Sequence, residues 1–149
     1  MRSLGNILWH FPFLGFVTAF FVFITGILLT LTVVASPIGL GLIEFSKFLL
    51  APYSNEMISS SELSNKKNPL WETYGLIVGL IYLPIGIIMV LCTVFQIVLL
   101  ASSLIGIPMA IVLAKSLPTY LNPVGKKCVN SYVAEEIRIR NGKEKAKNL

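Results

Sequence analysis

Charged side chains are missing from two long stretches of this chain, Ser3 to Ile43 and Thr73 to Ala114. A bilayer's hydrocarbon core is about 30 Å thick and takes roughly 20 apolar residues as helix, so each stretch is about twice as long as one crossing needs. Punctuation inside them predicts the elements. A short lead-in, Leu4–Phe11 or Gly75–Tyr82, ends near Pro12 or Pro84. A long helix follows at Phe13–Ala35 and at Ile85–Ile105. Proline lacks the donor that a helix interior needs, and the residue before it avoids helical geometry. The helices should therefore break at Ser36-Pro37 and Ile107-Pro108, next to Gly39, Gly41 and Gly106. Shorter helices follow at Ile38–Ala51 and Met109–Tyr120, stopping before Pro52 and Pro123. Roughly 14 residues make only about 21 Å of helix, and Glu44, Ser46, Lys47, Lys115 and Ser116 sit in these segments. They suit an interfacial or re-entrant position.

The two stretches resemble each other. Sliding the second onto the first so that Pro108 falls on Pro37 also brings Pro123 onto Pro52 and Gly86 onto Gly15, and no gap is needed from Gly15 to Asn55. Leucines also coincide, but apolar sequences match by chance. The prolines and glycine weigh more because they punctuate structure. Internal repeats of this kind are common in transport folds.

Composition agrees with a membrane protein. The chain is 55% hydrophobic and 13% charged, where soluble domains carry about 25% charged residues. The net charge of +5 is concentrated after Pro123, where Lys126, Lys127, Arg138, Arg140, Lys143, Lys145 and Lys147 outweigh Glu135, Glu136 and Glu144. Basic residues near membrane ends favour the cytoplasmic side, so both termini are expected in the cytoplasm. The tail lacks interleaved aromatics, so it reads as an orientation signal that also touches anionic lipid, not as a nucleic-acid binder. Apolar Phe11–Ala35 is too long for a signal-peptide core of about 7–15 residues and reads as an uncleaved helix.

Gly5-Asn6-Ile7-Leu8-Trp9, Ser36-Pro37-Ile38-Gly39, Pro52-Tyr53-Ser54-Asn55-Glu56, Gly106-Ile107-Pro108 and Pro123-Val124-Gly125-Lys126-Lys127 resemble the YccF inner-membrane family. That family consists of small bacterial inner-membrane proteins with two copies of one domain. The resemblance implies a first repeat at 4–55, a polar loop at 56–72, a second repeat at 73–126 and a basic cytoplasmic tail at 127–149. It implies no reaction. Ser54 departs from the pattern, which tends to have glycine after Pro-aromatic.

Candidate chemistry is sparse. Gly15, Thr18, Val22, Thr25, Leu29, Thr32 and Ser36 recur at steps of three and four, which puts them on one helical face. The repeat shift gives Gly86, Met89, Thr93, Gln96, Leu100, Ser103 and Ile107 as their counterparts. Such stripes serve helix packing, where Thr, Ser and Gln hydrogen-bond across an interface, or line a path through an oligomer. Thr18, Thr25, Thr32, Thr93, Gln96 and Ser103 are the polar members, and Gln96 lies near mid-membrane. Glu44 and Lys47, three apart, can pair; with Lys115 they are either intramembrane ionisable groups, costly and functional by default, or snorkelling side chains. Trp9, Trp71, Tyr74 and Tyr82 suit an interfacial belt. Gly75 and Gly79 form a small-xxx-small pair.

Only one histidine, His10, is present, with free cysteines expected at Cys92 and Cys128. No metal-ligand cluster, phosphate loop or catalytic triad is suggested, so no enzyme, metal or cofactor is expected. The sequence therefore predicts an all-α membrane protein of two repeats, each a long transmembrane helix, a proline break and a short helix. Self-association into a small channel or transport path is the expected function; the alternative is an accessory subunit packed on a larger membrane partner. If the short helices lie at the surface the halves are inverted, and if they return across the bilayer the halves are parallel. Their shortness and polarity favour inversion.

Overall fold

The computed structural model describes residues 2–11, 14–63 and 69–147. Helix α1, Arg2–His10, is turned 78° from α2, Gly15–Leu31. A short turn leads to α3, Ser36–Leu50, which folds back along α2. Strand β1, Asn55–Ser59, and the single turn α4, Ser60–Leu63, follow. The 33-residue helix α5, Pro69–Ala101, pairs with α6, Ile107–Leu121, as a second hairpin. Strand β2, Lys126–Asn130, and helix α7, Ser131–Lys147, complete the chain.

Each short helix carries its proline in the first turn, Pro37 or Pro108, where a missing N–H costs no intrahelical bond. The chain reverses just upstream instead, through residues 32–35 and 102–106. Hydroxyls hold both reversals. Thr32 Oγ1 donates to the Leu29 carbonyl at 2.6 Å and accepts from the Ala35 N–H at 3.4 Å. Ser103 Oγ accepts from the Gly106 N–H at 3.1 Å. Close packing of α2 on α3 relies on Gly26 and Gly39, where the backbones approach too closely for a Cβ.

Two expectations need correction. The chain is not purely helical, because β1 and β2 form an antiparallel pair with Met57 opposite Cys128. The polar loop at 56–72 and the tail at 127–149 are thereby partly structured. No hairpin turn joins these strands, so local sequence carries no signal for them. Second, α5 runs unbroken through Pro84. Prolines are more frequent inside membrane helices than inside soluble ones. Two residues on, Gly86 lets the α6 end approach, its Leu121 carbonyl lying where a Cβ would stand. Pro12, Phe13, Lys66 and Lys67 lie outside the described residues, as does the side chain of Trp71.

The core gathers where the short helices meet α1 and α2. Trp9, Ala19, Phe45, Phe48, Leu49 and Val112 are buried together. Phe45 stacks on Phe48 with centroids 5.8 Å apart, and Tyr120 meets Phe45 edge-on at 5.3 Å. Trp9 is thus a core anchor, not an interfacial one: its indole N–H donates to the buried Leu49 carbonyl at 2.7 Å, and Gly15 leaves room for the ring. A smaller cluster of Ile58, Ala134 and Ile137 seats α7 on the strands. An Arg138–Glu56 ion pair at 2.8 Å adds to it.

The two hairpin tips point to opposite ends of α5. At its N-terminal end, the Tyr74 hydroxyl donates to the Val34 carbonyl at 2.7 Å and lies 3.3 Å from that of Val33. The other tip, 102–106, follows directly from the C-terminal end. From Tyr74 to Ala101 the helix is about 40 Å long at the usual rise per residue. Most of α2 and α5 is apolar and exposed, including Phe16, Phe20, Phe21, Ile81, Ile88 and Leu91.

Candidate functional site, a polar joint between the two hairpins

The strands bring ionisable side chains of α3 and α6 against the opposite half of the chain. Glu44 lies on α3, outside the long apolar helices. One carboxylate oxygen accepts from Lys47 Nζ at 2.7 Å, and the other accepts from the Cys128 N–H of β2 at 3.1 Å. Burial acts to raise its pKa, but the Lys47 and Cys128 hydrogen bonds and the charges of Lys47 and Lys127 outweigh that and hold it below the usual value. Lys115 takes the corresponding place in α6. Its ammonium donates to the Pro52 carbonyl at 3.3 Å and stands 5.9 Å above the Tyr53 ring.

Tyr53 is itself socketed. Its hydroxyl donates to the Pro108 carbonyl at 2.7 Å, and its ring lies 2.7–2.8 Å from where a Cβ on Gly5 would be. The Asn6 side chain accepts from the Tyr53 N–H and donates to Ser54 Oγ, both at 3.0 Å. Sequence reasoning missed Tyr53 and Asn6 as joint residues. The one signal was the unusual serine after Pro-aromatic, since Ser54 receives the Asn6 amide and offers its carbonyl to Ser131 at 2.9 Å.

The Cys128 thiol is pushed up to about 11 by burial and by the Glu44 charge, partly offset by Lys47. A thiol so protonated is a poor nucleophile. The joint fixes charges and backbone through the Glu44, Lys115 and Tyr53 contacts. Among the described residues no three His, Cys, Asp or Glu side chains gather as a metal site.

The polar stripe residues are not brought together. Thr25 and Thr93 return their hydroxyls to their own helices, at the carbonyls of Phe21 (2.8 Å) and Met89 (2.7 Å). Thr93 is buried and Thr25 exposed. Thr32 and Ser103 serve the two tips. Thr18 and Gln96 are exposed on α2 and α5. Gly75 and Gly79 face Val124 and Asn122, so this pair admits the connection between α6 and β2.

Residues 4–55 match the YccF inner membrane component domain. The matched span ends at the first residue of β1 and does not extend to a second copy. No curated protein and no solved structure matches the chain. The matched residues comprise most of α1, the α2–α3 hairpin, Trp9, Glu44 and Tyr53, whereas Pro108 and Lys115, which meet Tyr53, lie outside the match. Its description as an inner membrane component agrees with the composition of α5, whose Glu72–Ala101 segment is long and apolar enough to cross a bilayer. Both lines of argument indicate a membrane protein.

Proposed function

We propose that the chain is a duplicated, inverted pair of helical hairpins in the bacterial inner membrane, and that copies of it assemble around a small transport path without enzymatic activity. Support for the duplication lies in recurrence at the same shift that carries Pro37 onto Pro108. Helices α3 and α6 begin and end at that spacing, as do β1 and β2, and α4 and α7 begin at it. The strand register places Met57 opposite Cys128, its own counterpart, as a local two-fold axis requires. Hydrogen bonds repeat as well. Ser60 N–H donates to the Gly125 carbonyl at 2.7 Å, and Ser131 N–H to that of Ser54, the Gly125 counterpart, at 2.9 Å. Support for inversion comes from the two tips at opposite ends of α5.

The observation that carries the transport reading is the position of the joint. Glu44, Lys47, Lys115, Lys126 and Lys127 lie between two apolar tips, beside helices whose outer faces suit lipid. Lys47, Lys115 and Lys127 are exposed there, and charges at that level are tolerated only against protein or water. Facing a shared, hydrated interior satisfies them. Gln96 extends the same logic along α5, where it is an exposed amide among the apolar Phe95, Val98 and Leu99. The basic α7 supports a cytoplasmic C-terminus. Purified protein in liposomes tests the reading. Wild type should conduct ions, and Gln96→Leu should lower the flux at least tenfold while leaving the assembly size unchanged. Absence of flux from well-folded, reconstituted wild type overturns it.

A further inference from the structure

The two halves differ at one place where their backbones correspond. In the first half, Tyr53 fills a socket between Gly5, Pro108 and Lys115. The counterparts of these residues under the repeat shift are Leu76, Pro37 and Glu44, and Val124 stands in place of Tyr53. A valine is too short to fill a tyrosine's socket. At that place the structure contains a cavity of about 650 Å³, lined among others by Pro37, Gly41, Glu44, Leu76 and Val124. The volume falls within the roughly 300–1,000 Å³ of ordinary small-molecule sites.

The first half indicates what such a socket accepts. Tyr53 presents a planar ring to its walls and a hydroxyl to the first-turn carbonyl of Pro108. Pro37 occupies the same first-turn position of α3, so its carbonyl is the equivalent acceptor. The lining is apolar at Pro37, Leu40, Gly41 and Val124. At the Lys115 position stands the Glu44 carboxylate, and Glu72, Lys126 and Lys127 also line the cavity, so its charges are of both signs and favour neither an anion nor a cation over a neutral ligand.

We propose that this cavity binds a small phenol-class ligand, with its ring beside Gly41 and Val124 and its hydroxyl directed to the Pro37 carbonyl. The assignment rests on the duplication proposed above. Ser60, on the cavity wall, supplies the reporter. Full-length Ser60→Cys protein with Cys92→Ser and Cys128→Ser is labelled with a maleimide, alone or with 4-propylphenol or 4-propylanisole. The phenol should slow labelling at least fivefold and the anisole, which cannot donate, should not. Val124→Tyr should slow labelling without any ligand and abolish the phenol effect; Val124→Leu is the substitute if that variant does not fold. If Val124→Tyr slows labelling but the phenol does not, the socket correspondence stands and the ligand assignment falls. Equal protection by the anisole also overturns the phenol class. If neither substitution at Val124 alters labelling, the correspondence of the sockets fails, and the duplication argument loses its support here together with the ligand.

Discussion

The short helices of the two hairpins begin and end 71 residues apart in sequence, yet the first hairpin is closed where the second is open. In the first, α1 turns away from α2, so that Trp9 and Gly5 wrap the α3 end and Tyr53 plugs its socket. In the second, the corresponding lead-in stays in line as the first turns of α5, and Val124 leaves its place unfilled. The tips invert the relation to strain. Val33 at the first tip adopts φ 60, costly for a β-branched residue, and is gripped by Tyr74. Both tips are exposed, Val33 and Val34 at 73% each and Leu104 and Ile105 at 87% and 73%, but the second is closed by Ser103 within its own turn. Its counterpart to Tyr74 would be Ser3, which lies on the diverted α1. One displacement of a lead-in helix thus accounts for a filled socket, an empty one, a tip gripped by a tyrosine and a tip held within its own turn.

Forcing the two halves to be alike should cost most at Gly41. Its counterpart is Val112, fully buried in the core. A Cβ at Gly41, however, would overlap the Pro123 carbonyl, which is backbone and cannot swing aside. Gly41→Val should therefore destabilise the protein by about 1–3 kcal/mol or more, the cost of overpacking a tight contact. Thermal unfolding in detergent, followed by circular dichroism, measures it. A loss below about 0.5 kcal/mol, ordinary for surface changes, would mean that the α6–β2 connection at Pro123 does not press on α3.

How much of this could be read from sequence depends on the range of the signal. Pro37 and Pro108 do not make the breaks expected of them: each stands in the first turn of its short helix, and the chain reverses a few residues upstream. The short helices were legible because a proline fits that first turn. Pro84 misled, since a proline inside a long apolar helix need not break it. The strands were invisible: Asn55–Ser59 finds its partner in the other half of the chain, and nothing in so short a segment specifies that. Glu44 and Lys47 were legible as a pair from their spacing, but the Cys128 amide that completes the cluster comes from the other half. Trp9 looked interfacial because its indole carries a polar N–H; a buried carbonyl, which sequence cannot display, receives it.

A more modest difference separates Glu44 from Lys115. Both reach across the joint, but only Glu44 is held as a hydrogen-bonded ion by two partners. Glu44→Gln keeps an acceptor and loses the charge, and should cost about 1–2 kcal/mol, between a neutral and a charge-assisted hydrogen bond. The pH dependence has a definite sign. Because the folded-state pKa lies below the ordinary 4.5, this stability is fully present above pH 4.5 and is lost as pH falls through the lowered value. Wild type should lose stability over that interval, and Glu44→Gln should lose less. Parallel melting curves at pH 6 and pH 3.5 test this, and identical losses would remove Glu44 from the joint.

The mildest change concerns the tips. Tyr74→Phe deletes the hydroxyl that grips the Val33 and Val34 carbonyls, at a cost of about 0.5–1.5 kcal/mol if nothing replaces it. Global stability barely registers such a change, but local opening does. Amide hydrogen exchange should speed up at residues 32–36 and leave 102–106 unaltered, because Tyr74 does not reach that tip. Release of Val33 from its left-handed conformation works in the same direction, since the strain then favours opening. Faster exchange confined to the first tip would attribute the difference between the hairpins to one hydroxyl. Unchanged exchange there would mean that the turn is held by Thr32 and the chain around it, as Ser103 holds the other, and that the two tips are alike after all.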